Sequence, residues 1–144
     1  MNRKIKKKYR FTEETMEIGG HVLNRIIALR DFREVKKGDL GGFIEKESNL
    51  AHDLNCWIYN DAKVYSNAMV YGNAKVEKKS DYIVFKNWWS SGRYFTWTRS
   101  NDMWSVGCFY GTGEELITRA YKDSEEKGRE YKRIVKYVES IKSV

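Results

Sequence analysis

The sequence predicts a mainly β protein of α+β type. The expected order is an N-terminal β-hairpin, a truncated left-handed parallel β-helix, then a small antiparallel aromatic sheet with a C-terminal helix. Three observations carry this expectation. The chain repeats every six residues between Asn49 and Val76, residues 82–110 are dense in aromatics, and a capping sequence at Thr112 opens a run of apolar residues three and four apart. Fixed-period self-similarity outranks local propensity as a guide to fold.

The hairpin comes first. Gly19-Gly20 separates two β-rich runs, Thr15–Ile18 and His21–Leu29, and both turn positions can take positive φ. Ile18 then faces His21 and Met16 faces Leu23, leaving His21 as an exposed strand-end residue. Lys36-Lys37-Gly38-Asp39 reads as a turn, and Leu40-Gly41-Gly42-Phe43-Ile44 leads into the repeats.

The repeat frames begin at Asn49, Asn55, Asp61, Asn67 and Asn73. Each opens on a turn-prone residue, continues with a small or apolar one and usually ends on a β-branched one, as in Asn73-Ala74-Lys75-Val76. Residues eighteen apart then stack, Cys56 on Ala74 and Ile58 on Val76. His52 falls at a slot filled elsewhere by Ile or Val. Five frames are fewer than two full coils, so the hairpin must cover one end and the C-terminal region the other.

Beyond Lys79 the composition changes. Three strands are expected, Tyr82–Phe85, Tyr94–Thr98 and Trp104–Tyr110, with turns at Ser90-Ser91-Gly92 and Ser100-Asn101-Asp102. Tyr94, Thr96 and Thr98 point one way, Phe95, Trp97 and Arg99 the other. Thr112-Gly113-Glu114-Glu115 has the form of a capping box. The helix it opens carries Ile117, Tyr121, Ser124, Gly128, Tyr131, Val135 and Val138 on one face, with a kink or break expected near 124–128, where Asp123 and Glu126 are candidate caps. The organisation expected is a basic tail over 1–10, hairpin plus repeats over 11–79, and sheet plus helix over 80–144.

The net charge of +7 is local: residues 1–10 supply six of these charges, and the remainder is close to neutral. A short terminal charge run is expected to be solvated. No apolar run is long enough for a membrane and no signal-peptide core follows the charged start, so the cytoplasm is the expected location. Cys56, in a small inward slot, and Cys108, in an apolar strand, are read as packing residues and form no disulfide framework.

Chemistry has few footholds. Repeats of this kind often belong to acyltransferases, which need a histidine base and several coils per subunit. His52 is the only repeat-borne histidine and the array is short, so that activity is not expected. His21, His52, Cys56 and Cys108 lack zinc spacing, no phosphate-loop or dinucleotide fingerprint is present, and no cofactor or metal is expected. The candidate binding site is the aromatic block: Lys86, Trp88, Trp89, Ser90, Ser91, Arg93, Tyr94, Trp97 and Arg99, joined by Thr112 at the helix start. Aromatic planes beside arginines can stack a base and hold a phosphate. The competing reading makes these aromatics the closed core of a small sheet. Tyr59, Tyr65 and Tyr71 recur every six residues and are candidate contacts of a homo-oligomer.

Val35 to Glu45, the Asn-Ala-Lys-Val frames, and Trp88 to Arg93 through Gly107 to Thr112 together resemble short hexapeptide-repeat proteins carried by phages and prophages. The resemblance implies a β-helix body and an accessory phage gene, and carries over no catalytic residue. It leads to a non-enzymatic counter-defence protein that sequesters an anionic, nucleotide-like signal as a homo-oligomer. Alternatives are an inhibitor that binds a host defence protein, a nucleic-acid-binding module and a degenerate acyltransferase.

Overall fold

The computed structural model describes residues 6–88 and 92–143. β1 (Tyr9–Ile18) and β2 (His21–Ala28) form the hairpin around Gly19-Gly20, with Ile18 opposite His21 and Met16 opposite Leu23. β2 pairs antiparallel with β3 (Leu40–Ile44). The repeats contribute β4 (Trp57–Ile58), β5 (Lys63–Val64) and β6 (Lys75–Val76). Their pairing is parallel: Trp57 lies opposite Lys75 and Ile58 opposite Val76, eighteen residues on, as the period requires.

The other parallel contacts are offset by twenty residues: Ile44 opposite Val64 and Leu50 opposite Val70. The two extra residues fall between Leu50 and Ile58, eight apart instead of six, in the turn that holds Leu54 at φ +60°. The corner before Leu50 is the short 3-10 helix Glu47–Asn49. Fully buried Asn49 organises this corner. Its Oδ1 accepts the N–H groups of Glu45 (3.2 Å) and Lys46 (2.9 Å), and its Nδ2 donates to the carbonyls of Ser66 (3.1 Å) and Ala68 (2.9 Å). The shift corrects the expected place of His52: Leu50 takes the inward position beside Val70, and His52 moves outward. A second corner follows at Lys79–Asp81, where Asp81 Oδ2 accepts the N–H groups of Glu77 (2.8 Å) and Lys78 (3.1 Å). Glu45-Lys46-Glu47-Ser48-Asn49 and Glu77-Lys78-Lys79-Ser80-Asp81 are thus one device used twice, a longer repeat that the six-residue period obscures.

Ile58, Val64, Val70 and Val76 fill the interior, each worth about 1.5–3 kcal/mol in burial, with Cys56, Ala68 and Ala74 in the small slots. Gly42 is required by close approach, since a Cβ there would lie 2.4 Å from the Ala62 carbonyl oxygen. The first circuit is plugged by the end of the basic run. Tyr9 is buried and its hydroxyl donates to the carbonyls of Glu47 (3.0 Å) and Leu50 (2.7 Å). Lys8 is buried beside it, so the expected solvated tail ends before Lys8.

The C-terminal region is a four-stranded antiparallel sheet backed by two helices. Its strands are β7 (Tyr82–Lys86), β8 (Tyr94–Thr98), β9 (Met103–Val106) and β10 (Phe109–Gly111), ordered β10-β9-β8-β7. The last two replace the single strand expected over Trp104–Tyr110. Gly107, at φ +56°, and Cys108 turn the chain back, pairing Phe109 with Val106. This leaves Cys108 exposed rather than packed.

The expected alternation along β8 holds. Phe95 and Trp97 pack with Trp104, Leu116, Tyr131 and Val135 against the helices. The opposite face of the sheet lies over the repeats, where hydroxyl groups replace a further circuit. Thr96 Oγ1 accepts the Met69 N–H (3.0 Å), Ser100 Oγ accepts the Lys75 N–H (2.7 Å), and the Tyr82 hydroxyl donates to the Lys63 carbonyl (3.0 Å).

The helical stretch is divided into α1 (Gly113–Asp123) and α2 (Glu125–Ile141). The Thr112–Glu115 capping box forms as expected. The break falls at Ser124, whose hydroxyl accepts the Lys127 N–H (3.0 Å), so neither Asp123 nor Glu126 is the cap. The break also turns the apolar face of α1: Leu116 and Ala120 are buried, and Tyr121 is on the surface.

Candidate functional site

The fold disperses the expected binding residues. Trp97 is buried and donates its indole N–H to Asp102 Oδ1 at 2.7 Å, so it is core rather than a stacking face. Arg99, expected to hold phosphate, donates to the carbonyls of Ser80 and Lys142 and lies over the Trp97 ring. It ties sheet to corner and helix. Thr112 is committed to its cap and lines a crevice with Asp102, Glu114 and Glu139, whose charge disfavours an anion. Lys86 and Tyr94 pair across β7 and β8. Trp88, beyond them, is 82% exposed. Trp89, Ser90 and Ser91 lie outside the described residues. Among the described residues, the aromatics of β8 and β9 are core, and no cleft lies between Arg93 and Arg99, which β8 separates.

Arg93 lines a second concavity, with basic neighbours. With Arg119 and Lys127 it surrounds a pocket of about 110 Å³ floored by Phe109, Leu116 and Tyr131 and edged by Cys108. The β9–β10 turn makes room for it: a Cβ on Gly107 would lie 3.1 Å from Arg93 Nη1. Asp123 is the carboxylate of the rim, and it is bonded to Lys127 Nζ at 2.7 Å. That bond, with the fields of Lys127, Arg119 and Arg93, holds its carboxyl below the ordinary range. The rim remains net positive. Arg119 and Lys127 were not selected from sequence, because they read as part of a solvated, mixed-charge helix face.

A larger groove, about 520 Å³, runs along β5 between the hairpin tip and the second corner, lined by Ile18, Lys63, Tyr65, Lys78, Lys79 and Tyr82. It exists because β5 is an edge strand: β3 pairs with it on one side and β7 does not pair on the other. Burial pushes the Tyr82 hydroxyl up to about 12, so it stays protonated and donates to the outward Lys63 carbonyl.

The repeat tyrosines are all used within the chain. Tyr59 donates to Glu34 Oε1 at 2.5 Å, Tyr65 packs against His21 with ring centroids 5.0 Å apart, and Tyr71 against Tyr110 at 5.3 Å. They join the repeats to flanking elements.

The histidines are also engaged. The Lys8 N–H donates to His52 Nδ1 at 3.1 Å, which leaves Nε2 as the protonated nitrogen donating to Glu47 Oε1 at 2.8 Å. The ring stacks on Tyr9 at 4.1 Å. A base needs a free lone pair directed at substrate, and the lone pair of His52 faces the backbone. His21, expected to be an exposed strand end, is instead bonded through Nδ1 to Glu45 Oε2 at 2.8 Å, and Glu45 Oε1 accepts the Ser66 N–H at 2.8 Å. Among the described residues no three of His, Cys, Asp and Glu converge as a metal site. No described helix is long and apolar enough to cross a membrane.

No family model matches the chain. It is similar to a protein of the acetyltransferase class by name. That protein, uncharacterized acetyltransferase YdcK of Escherichia coli (strain K12), is 39% identical over 62 residues, covering 38% of this chain and 19% of YdcK. The chain thus spans about a fifth of the length of the curated relative it matches.

Proposed function

We propose that this is a non-enzymatic binding protein built on two circuits of a left-handed parallel β-helix, and that it takes an anionic, nucleotide-like ligand by its phosphate. The observation that carries this reading is the pocket in which Arg93, Arg119 and Lys127 meet over an aromatic floor, with its rim carboxylate already paired. Arginine suits a phosphate because its planar fork donates two parallel bonds. A space of about 110 Å³ takes a phosphate group, whereas pockets that enclose a whole ligand run to ~300–1,000 Å³. Sugar and base therefore lie outside this space. Sequestration of a signal in a phage-infected host is the role that the resemblance to phage hexapeptide-repeat proteins implies. As a homo-oligomer, another copy would cover the free edge of β5, where Tyr65 lies.

Calorimetry against cyclic dinucleotides and ADP-ribose derivatives tests the reading. Arg93→Ala and Arg119→Ala are expected to fold normally and each weaken binding at least tenfold, about 1.4 kcal/mol. Ligand recovered intact after heat denaturation supports sequestration. Unchanged affinity in both variants removes the pocket from the reading.

A second reading, an acyltransferase-like activity, is favoured by the similarity to YdcK. Consumption of acetyl-coenzyme A by the purified chain, abolished in His52→Ala, would put this reading in place of the first.

A further inference from the structure

Cys56 occupies the small slot that Ala62, Ala68 and Ala74 fill in the following frames, and Lys8 lies directly against it. Both side chains are fully buried. Lys8 Nζ donates to the Cys56 carbonyl at 2.5 Å and to the Leu54 carbonyl at 3.4 Å, and lies 3.3 Å from Cys56 Sγ. The sulfur is also within 3.5 Å of the Ala51 carbonyl oxygen and 3.7 Å of that of Val70.

Apolar packing alone calls for neither the thiol nor the amine. Alanine fills this slot elsewhere in the repeat, and an apolar side chain would plug the circuit without burying an amine. Burying a cation costs several kcal/mol unless it is compensated. Burial accordingly lowers the Lys8 pKa and raises that of Cys56, while each acts on the other in the opposite direction. Burial thus favours the neutral amine and the neutral thiol.

We propose that Lys8 and Cys56 are an oxidation-responsive pair that closes a covalent sulfur–nitrogen bond, fastening the N-terminal strand to the repeats. Hydrogen peroxide is the oxidant. The Cys56 sulfur attacks one peroxide oxygen, the O–O bond breaks, and the other oxygen leaves as water with the thiol proton, giving the sulfenic acid. The Lys8 amine then attacks Sγ and the S–O bond breaks. The hydroxyl departs with an amine proton as a second water, leaving a sulfenamide. Sulfur is oxidised, one peroxide becomes two waters, and the protein loses two hydrogens. Condensation of a sulfenic acid with a neighbouring nitrogen is established cysteine chemistry. The bond would close a loop between residues 48 apart in sequence, constraining the unfolded chain as a disulfide does.

The test uses the full chain carrying Cys108→Ser, which removes the exposed thiol. After graded peroxide treatment, intact mass is expected to fall by two hydrogens. The tryptic peptides holding Lys8 and Cys56 should be joined, cleavage after Lys8 lost, and melting temperature raised, all reversed by dithiothreitol. Cys56→Ala, which installs the residue of the other frames, should fold and lose every one of these effects. Uptake of oxygen on Cys56 with cleavage after Lys8 intact would overturn the proposal. So would a Cys56 left unmodified at peroxide levels that fully oxidise Cys108 in the wild-type chain.

Discussion

Thr96→Val replaces one γ-substituent by another of similar size and removes only the acceptor. In the wild type, Thr96 is 2% exposed and its Oγ1 accepts the Met69 N–H at 3.0 Å, one of the bonds by which the sheet covers the open end of the repeats. The valine methyl cannot accept a bond, and the Thr96 side chain itself is closed to water. A buried donor left without a partner costs about 1–3 kcal/mol. For a chain of this length each kcal/mol is worth about 3–4 °C, so a cost near 2 kcal/mol lowers the melting temperature by about 7 °C. Ser100→Ala removes the equivalent acceptor of Lys75, but that bond is exposed and water replaces it, so the change should stay within about 0.5 kcal/mol. Thermal unfolding followed by circular dichroism measures both. A Thr96→Val melt equal to that of Ser100→Ala would refute the idea that the hydroxyl face closes the repeat.

Deleting residues 1–8 removes the buried Lys8 plug and should lower the melting temperature, whereas deleting 1–5 should leave it unchanged; equal melts would place the plug elsewhere. Arg99→Ala should cost about 1–3 kcal/mol of stability and leave anion affinity at the Arg93 pocket intact, because its bonds go to the Ser80 and Lys142 carbonyls. Loss of anion affinity in a fully folded Arg99→Ala protein would return that residue to the binding site. Glu34 is held down to about 2 from its ordinary value of 4.5, first by the Tyr59 hydroxyl and also by Lys75. The folded state therefore binds its proton less readily than the unfolded chain. The resulting stability is full above about pH 4.5 and is lost as pH falls toward 2. Glu34→Gln should flatten that acid limb in urea titrations across the range, and an unaltered limb would show that the pair does not form in solution.

The periodic elements were legible because their causes are local. A six-residue spacing, a Gly-Gly turn and a Thr-to-Glu capping box each act over a few residues, and alternation along Tyr94–Thr98 separates its two faces whatever lies against them. The break at Ser124 was legible for the same reason, although which of several capping residues is used depends on how α2 docks. Tertiary structure alone decided the rest. The twenty-residue offset that moved His52 outward comes from the two extra residues between Leu50 and Ile58. The Asn49 side chain joins its own corner to Ser66 and Ala68 in the next circuit and sets Leu50 inward beside Val70. Position in a basic run marks Lys8 as solvated, yet the open end of the first circuit offers carbonyls that only a long donor can reach. Arg93 and Arg99, six residues apart, were separated because a strand places its two ends far apart and each arginine took the partners nearest its own end. Arg119 and Lys127 joined Arg93 because the break between α1 and α2 turned that helix face toward the β9–β10 turn. Sequence period determines which residues face inward, and packing between distant segments determines which charged groups meet.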